Sequence, residues 1–548
     1  MVLKFYSALE KLFPAQLPDA PAPGMLSGFE NEVLSFQAAF HAESTPWGRQ
    51  EVAVEVVSPI ADAVTIRQVK NVPVAMARYP GSDDGYLFRS AGMAPDLLTP
   101  IASHTLFARQ DAPTVLWVDV NAAKAVPGEY PVTLRVMDMQ GALLCEGTQT
   151  VSILPGCLPE QALECTRWMH YDCIAQHYGV SVFSEEFWRI TENYIRRAVE
   201  AGVNMILVPT HTPPLDTRVG GERLTVQLVD VTLEDGAYRF DMAKLCRFIA
   251  LCRRCGVMFY EIAHLFTQWG AKHAPKIIAH VDGEEKRIFG WETDASGSEY
   301  RAFLEAYIPA LLRVFKEEGI AERIRWHISD EPHDAQLSSY KAAKAQVSDL
   351  LAGQYVTDAL SSFAFYENGL VEHPIVANDA IEPFLEHSVP DLWTYYCCAQ
   401  HIDVSNAFIA LPSVRTRALA AQLFKYDIKG FLHWGFNFYS SQYSDYPIDP
   451  FATTDADGWV PAGDPFLVYP GSDGQPLDSL RLMVITHAMQ DLRAMNLLAS
   501  LTSREHVVAL IEQQLPAPLT FSCKPCNDAW LLELRETINR EIISLQNA

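Results

Sequence analysis

From about residue 160 onward the chain alternates short apolar runs with amphipathic stretches, and few architectures accept that pattern. The apolar runs are Arg167 to Tyr171, Val203 to Pro209, Val257 to Ile262, Ile324 to Ser329, Tyr355 to Ala359, Pro374 to Ala377, Leu392 to Cys397 and Gly430 to Trp434. Glu185 to Ala201, Asp241 to Cys255, Tyr300 to Glu318 and Arg415 to Asp427 lie between them with helical spacing. Strands separated by helices pair in parallel, and eight of them over roughly 270 residues make a TIM-type (β/α)8 barrel.

Residues 1 to 155 read differently. Short β-branched runs (Glu51 to Val57, Ala63 to Val69, Thr114 to Val120, Tyr130 to Met137, Gln149 to Leu154) are separated by Pro/Gly turns, the signature of a β-sandwich. The expected organisation is therefore α/β and multidomain: a β-sandwich over 1–155, a catalytic barrel over 160–476 and a C-terminal helical extension over 477–548. After the eighth run, Asn437 to Pro476 forms a long loop rich in Asp, Pro, Gly and aromatics, expected to drape over the barrel mouth.

Acidic residues outnumber basic ones 67 to 42, for a net charge of −25. Such a field repels nucleic acid and anionic membranes but is indifferent to a neutral sugar. No stretch is apolar enough to span a membrane, and the charged Glu10 and Lys11 interrupt the N-terminal apolar run before it can act as a signal peptide. With 11 cysteines, an odd number, reduced thiols are expected, and the location read from these signs is cytoplasmic. Homo-oligomerisation is left open.

Barrel enzymes place their chemistry at the C-terminal ends of strands. Those ends carry His170, Tyr171 and Asp172; Thr210 and His211; Glu261, His264 and Trp269; Asp330 and Glu331; Asn378 and Asp379; Tyr395 and Tyr396; then Trp434 and Asn437. Aromatic rings stack on sugar C–H faces, and carboxylates, amides and imidazoles bond hydroxyls, so the set suits a carbohydrate. Phosphate-loop and nucleophile-elbow motifs are absent from the sequence. Cys252/Cys255 and Cys523/Cys526 have metal-like spacing but lack the further ligands of a site, and Glu261/His264 falls on a strand-to-loop segment instead of a helix, so neither metal nor cofactor is expected. Asp330 and Glu331 stand out because adjacent acids raise each other's pKa; taken alone, the pair reads equally well as a solvated corner.

The run Ile328-Ser329-Asp330-Glu331-Pro332, the segment Gly430-Phe431-Leu432-His433-Trp434-Gly435-Phe436-Asn437 and the sandwich-then-barrel order resemble family-123 glycoside hydrolases and their DUF4091 relatives, from about residue 60 to 500. Characterised members are β-N-acetylgalactosaminidases, and their Asp-Glu pair falls on Asp330 and Glu331. The resemblance implies a retaining, exo-acting enzyme on an oligosaccharide or glycoside, in which the sugar's own 2-acetamido oxygen attacks C1. Ordinary glycosidases hold two carboxyls ~5 to 9.5 Å apart across the scissile bond, which consecutive residues do not readily do. Glu331 is then the acid, Asp330 the partner of the acetamido N–H, and Tyr395 or Tyr396 a donor to its carbonyl. Since strand neighbours face opposite ways, the backbone must turn at Asp330 for both acids to share a pocket. Two alternatives stand beside this reading. One is a two-carboxylate glycosidase recruiting Glu261 or Asp172, and the other is a non-catalytic carbohydrate-binding barrel.

Overall fold

The computed structural model describes residues 1–15, 17–19, 22–43, 47–522 and 527–547, so the Cys523/Cys526 spacing lies outside the described residues. The N-terminal region is built from two five-stranded sheets. One runs Lys4–Ser7, Val33–Phe40, Thr114–Asn121, Val64–Val74, Gly92–Pro100 in spatial order; the other runs Leu26–Phe29, Leu143–Leu154, Gly128–Asp138, Arg49–Val57, Thr105–Arg109. Phe36, Phe40, Leu116 and Val118 of the first share a core with Val52, Val54, Leu134 and Val136 of the second. The first sheet is covered on its other face too, where Tyr6, Val115 and Trp117 pack with Leu480 and Met483. Burial on both faces explains why Val33–Phe40 shows no in-out alternation and escapes sequence reading.

The second region holds eight parallel strands: β1 (Glu164–Arg167), β2 (Met205–Val208), β3 (Phe259–Ile262), β4 (Ile324–Arg325), β5 (Thr357–Leu360), β6 (His373–Ala377), β7 (Trp393–Tyr395) and β8 (Gly430–His433). They pair in the order β4-β3-β2-β1-β8-β7-β6-β5. An isolated parallel bridge, Trp326 to Val356, joins the two ends into a nearly closed barrel. Side chains of β2, β5, β7 and β8 are wholly buried, as strands with helices outside and core inside must be. Helices α1 (Tyr171–Tyr178) and α2 (Glu185–Glu200) follow β1, and α3 (Ala243–Cys255), α4 (Ser298–Glu317) and α5 (Leu337–Ala345) follow β2 to β4. The short α6 (Ala364–Glu367) and α7 (Glu382–Glu386) follow β5 and β6; α8 (Ser413–Arg417) and α9 (Leu419–Lys425) follow β7. Gly430 is required at the head of β8, because a Cβ there would sit 1.9 Å from the Trp393 indole on β7.

Two strands depart from the sequence reading. β1 ends at Arg167 instead of running to Tyr171, which opens α1, and β4 holds only Ile324 and Arg325 in its ladder. Beyond β8, α10 (Leu480–Leu501) packs against α8 and α9 and is buried on most sides, and α11 (Arg504–Glu512) and α12 (Asp528–Gln546) pack on it or beside it. Among the described residues no helix is long and apolar enough to cross a membrane.

Buried arginines fasten these regions together. Arg481 of α10 bonds both carboxylate oxygens of Asp96 in the N-terminal sheet at 2.9 Å, and the carbonyls of Gly463 (2.6 Å) and Phe466 (2.9 Å) in the long loop. Arg535 of α12 likewise holds Glu32 (2.6 Å) and Asp491 (3.0 Å). Removing one partner of a buried pair strands the other charge. Asp96→Ala is therefore expected to cost about 3–5 kcal/mol of stability, read by urea unfolding.

Candidate active site

β4 delivers the chain to the acid pair, and the backbone turns one residue later than the sequence suggests: Glu331, not Asp330, is left-handed, at φ +42°. A non-glycine residue in that region costs of order 1–3 kcal/mol, so surrounding bonds must hold it. They do so around both acids. The Asp330 carbonyl accepts the Trp269 N–H at 3.0 Å, and Glu331 Oε1 accepts the Tyr395 hydroxyl at 2.6 Å. The turn brings both carboxyls to one cavity of about 90 Å³ at the C-terminal mouth of the barrel.

The walls of that cavity are mostly aromatic. Trp168, Trp269, Trp434 and Trp459 line it together with Tyr395. Trp434 meets Trp459 edge-on at 5.9 Å, and Tyr443 links Trp459 (6.3 Å) to Trp269 (5.8 Å). Trp459 and Tyr443 belong to the long loop after β8, so that loop does cover the mouth. Asp464 of the same loop accepts the Trp434 indole N–H at 2.8 Å and fixes its ring. Asp216 and Gln268, from the segments after β2 and β3, complete the polar lining with Cys397 and Cys398.

Acidity here follows from burial and like charge. Burial raises Asp330 well above the usual carboxylate range, with Glu331 and Asp216 adding to it and His327 opposing. Glu331 is also raised by burial, against the Tyr395 hydrogen bond that favours its charged form. Asp216 is pushed up to about 7 by burial, with Arg223 opposing and Glu331 adding.

Of the residues singled out from sequence, Trp269, Asp330, Glu331, Tyr395 and Trp434 meet at the cavity. Glu261 and His264 lie one layer beneath, fully buried. Glu261 accepts bonds from the Thr166 hydroxyl (2.6 Å) and the Trp168 indole (3.0 Å), and lies 2.7 Å from His327 Nε2. The others brace backbone instead of lining the cavity. His170 bonds the Trp434 carbonyl and is clasped by Asn437, whose amide oxygen takes the His170 N–H at 2.9 Å. Burial and the neighbouring Arg223 lower His170 to about 3, so it stays neutral. Tyr171 donates to the Leu207 carbonyl, His211 bonds the His264 carbonyl, Asn378 donates to that of Ser405, and Tyr396 packs on Phe431 and His433. The shortened β1 is the cause at its end: Trp168, not His170, takes the strand-end place. Asp216 and Gln268 went unnoticed because their segments carry no periodicity. Trp459 had one signal, its place in the long loop.

His264, His327 and Asp358 bring donor atoms within 4.8 Å of one another, as a metal site would. Of the three, His264 has no hydrogen-bond partner on either ring nitrogen among the described residues, but the other two are already spent. His327 lies between Glu261 (2.7 Å) and Asp358 (3.2 Å), and those two carboxyls outweigh burial to raise it to about 10, which makes it an imidazolium with no lone pair to offer. Asp358 Oδ1 also accepts the N–H groups of Ile328 (3.0 Å) and Ser329 (3.3 Å), and Tyr340 bonds Oδ2. A larger cavity, about 280 Å³, lies between the N-terminal sheets and α12, but its Arg417 and Arg535 are both paired with acids.

The family model described as the glycoside hydrolase 123 catalytic domain matches residues 168–498. Among solved structures, a family 123 glycoside hydrolase from Clostridium perfringens superposes with a TM-score of 0.71 at 12% identity, covering 100% of this chain and 97% of its own. A β-glucuronidase from Parabacteroides merdae is far less similar, with a TM-score of 0.31 at 12% identity over 85% of this chain and 53% of its own. Comparison with curated proteins finds no match.

The charged histidine makes a pH prediction. A folded pKa near 10 against about 6.5 unfolded gives stabilisation that is full below pH ~6.5 and is lost as pH rises toward 10. Urea unfolding between pH 6 and 10 should show a steeper decline in the native chain than in His327→Gln, which keeps only the part due to the raised carboxyls of Asp216 and Asp330. The variant itself should be about 3–5 kcal/mol less stable at pH 6, because it leaves two buried carboxyls without their cation.

Proposed function

The chain belongs to glycoside hydrolase family 123 and is a glycoside hydrolase; on that premise we propose an exo-acting, retaining β-N-acetylhexosaminidase, with N-acetylgalactosamine as its sugar. The observation that carries this reading is the left-handed turn at Glu331, which sets two consecutive carboxyls on one cavity. Consecutive acids on one side of a sugar leave the far face without a protein nucleophile, which the 2-acetamido oxygen then supplies. Glu331 protonates the leaving oxygen as the C1–O bond breaks, and the acetamido carbonyl closes on C1. The Asp330 carboxyl makes no hydrogen bond to a described residue and is available to hold the acetamido N–H and the charge of the oxazolinium. Water, deprotonated by Glu331, then opens the ring with net retention.

Tyr395 takes a different part from the one expected of it, since its hydroxyl is committed to Glu331 and tunes the acid. The two-carboxylate alternative loses support from its candidates. Arg223 clamps Asp172 at 2.7 and 2.8 Å, and Glu261 is saturated beneath Trp168. In this reading a β-sandwich (1–155) supports a (β/α)8 catalytic barrel (160–476), and the helical remainder (477–548) begins with α10 in the place of the barrel's last helix.

Aryl glycosides with and without a 2-acetamido group test the proposal. Glu331→Gln should lose about 10²–10⁴-fold in kcat/KM on a poor leaving group and less on an activated one. Asp330→Asn should lose activity on both. Cleavage of a plain hexoside, with both acetamido sugars inert, would sink substrate assistance. Tyr395→Phe removes a donor that favours the Glu331 carboxylate. The alkaline limb of the pH profile, where the acid loses its proton, should move up by about one pH unit.

A further inference from the structure

Gln268 immediately precedes Trp269, and its Oε1 accepts the Asp216 N–H at 2.7 Å. That bond fixes which end of the amide is oxygen. The other end, Nε2, is buried and has no partner among the described residues, although Gln268 is only 5% exposed and lines the cavity. Asp216 lines the same cavity beside it. Its backbone is fixed at φ +43° with its carbonyl taking the Ser444 hydroxyl at 2.8 Å, and its carboxyl makes no hydrogen bond to a described residue. An unspent buried donor thus stands next to an unspent acceptor. Buried amide donors are rarely left unpaired in a folded protein. A sugar hydroxyl, which donates one hydrogen bond and accepts others, satisfies both at once. The lining contains Asp216, Asp330 and Glu331 and no Lys, Arg or His.

We infer that Asp216 and Gln268 form a two-point clamp on one ring hydroxyl, and that this clamp makes the site specific for a sugar without negative charge. The inference rests on the glycosidase reading and names its substrate class. Neutral rings enter. Uronic acids and sugars sulfated or phosphorylated on the ring are turned away, because their charge would enter a lining whose titratable side chains include three carboxyls and no cation to answer it. Sites built around a substrate hydroxyl reject the analogue lacking it by about 10⁴-fold, since their own polar groups are then left unpaired.

The test uses aryl N-acetylhexosaminides with each ring hydroxyl removed in turn, and the C6 carboxylate, against the native chain, Asp216→Asn and Gln268→Met. One deoxy sugar should lose about 10⁴-fold in kcat/KM with the native chain. Asp216→Asn should lose heavily on the parent sugar but less than about tenfold further on that deoxy sugar, because both changes break the same bond. It should also accept the C6 carboxylate at least tenfold better relative to the parent. Thermal midpoints separate these effects from misfolding. Losses that multiply, or an Asp216→Asn profile like the native one, overturn the clamp. If no aryl glycoside is hydrolysed, the proposed hexosaminidase reading fails, and the clamp is then judged by calorimetric binding of N-acetylgalactosamine, N-acetylglucosamine and their deoxy forms. The same non-additive pattern there supports it; equal affinities, or no binding, overturn it.

Discussion

A single buried carboxylate, Asp358 on β5, determines how the barrel closes and where its acids stand. The β4–β5 seam is the weakest in the sheet, with one isolated bridge at Trp326 and Val356. Past that bridge, Ile328 and Ser329 give their N–H groups to the Asp358 side chain and not to a neighbouring strand. Buried N–H groups must find acceptors, and a side-chain acceptor satisfies them without prescribing the direction of the next residues. The chain is thereby released from the ladder two residues before Asp330, and it can turn at Glu331.

The same carboxylate shapes the electrostatics above it. Asp358 and Glu261 together keep His327 charged in a site without solvent. That imidazolium opposes, without cancelling, the rise of Asp330 that burial and the neighbouring acids cause. In the proposed mechanism Asp330 faces a developing oxazolinium and must be able to carry charge, so a cation under its floor would serve that chemistry as well as the seam. Trp168 closes the layer, with its indole N–H on Glu261 and its ring in the cavity wall.

Much of the architecture was legible because parallel strands buried on both faces leave apolar runs of recognisable length, as at β2, β3 and β8. The failures have local causes. Ile324 to Ser329 reads as one strand, yet only Ile324 and Arg325 keep their ladder, since after the Trp326 bridge the side chain of Asp358 takes the Ile328 and Ser329 N–H groups. His170, His211, Asn378 and Asn437 have the polarity of ligands. A closed barrel rim also needs polar side chains to satisfy its own backbone, and composition does not separate the two uses. Asp330 and Glu331 were visible because adjacency is written in sequence. Asp216 and Gln268 were not, because their partnership exists only where the segments after β2 and β3 meet.

The N-terminal sheets have a structural part in the site although they line none of it. The long loop after β8, which supplies Trp459 and Asp464, has only one 3-10 turn (Gln442–Ser444) and a short two-stranded ribbon at its end to hold it over the mouth. The end of the strand Val64–Val74 and the segment after it supply the missing bonds. The Met76 N–H reaches Asp455 at 2.8 Å, the Met76 carbonyl takes the Ala462 N–H at 2.8 Å, Thr454 donates to the Pro73 carbonyl at 2.7 Å, and the Tyr79 hydroxyl donates to the Trp459 carbonyl at 3.1 Å. Arg481 finishes the connection by holding the loop carbonyls of Gly463 and Phe466 on the same guanidinium that pairs with Asp96. A loop ordered this way loses little further freedom when a sugar binds, so the aromatic wall meets its ligand already arranged. The N-terminal region is then part of the enzyme's preorganisation, and its covalent distance from Glu331 is no measure of its distance from the chemistry.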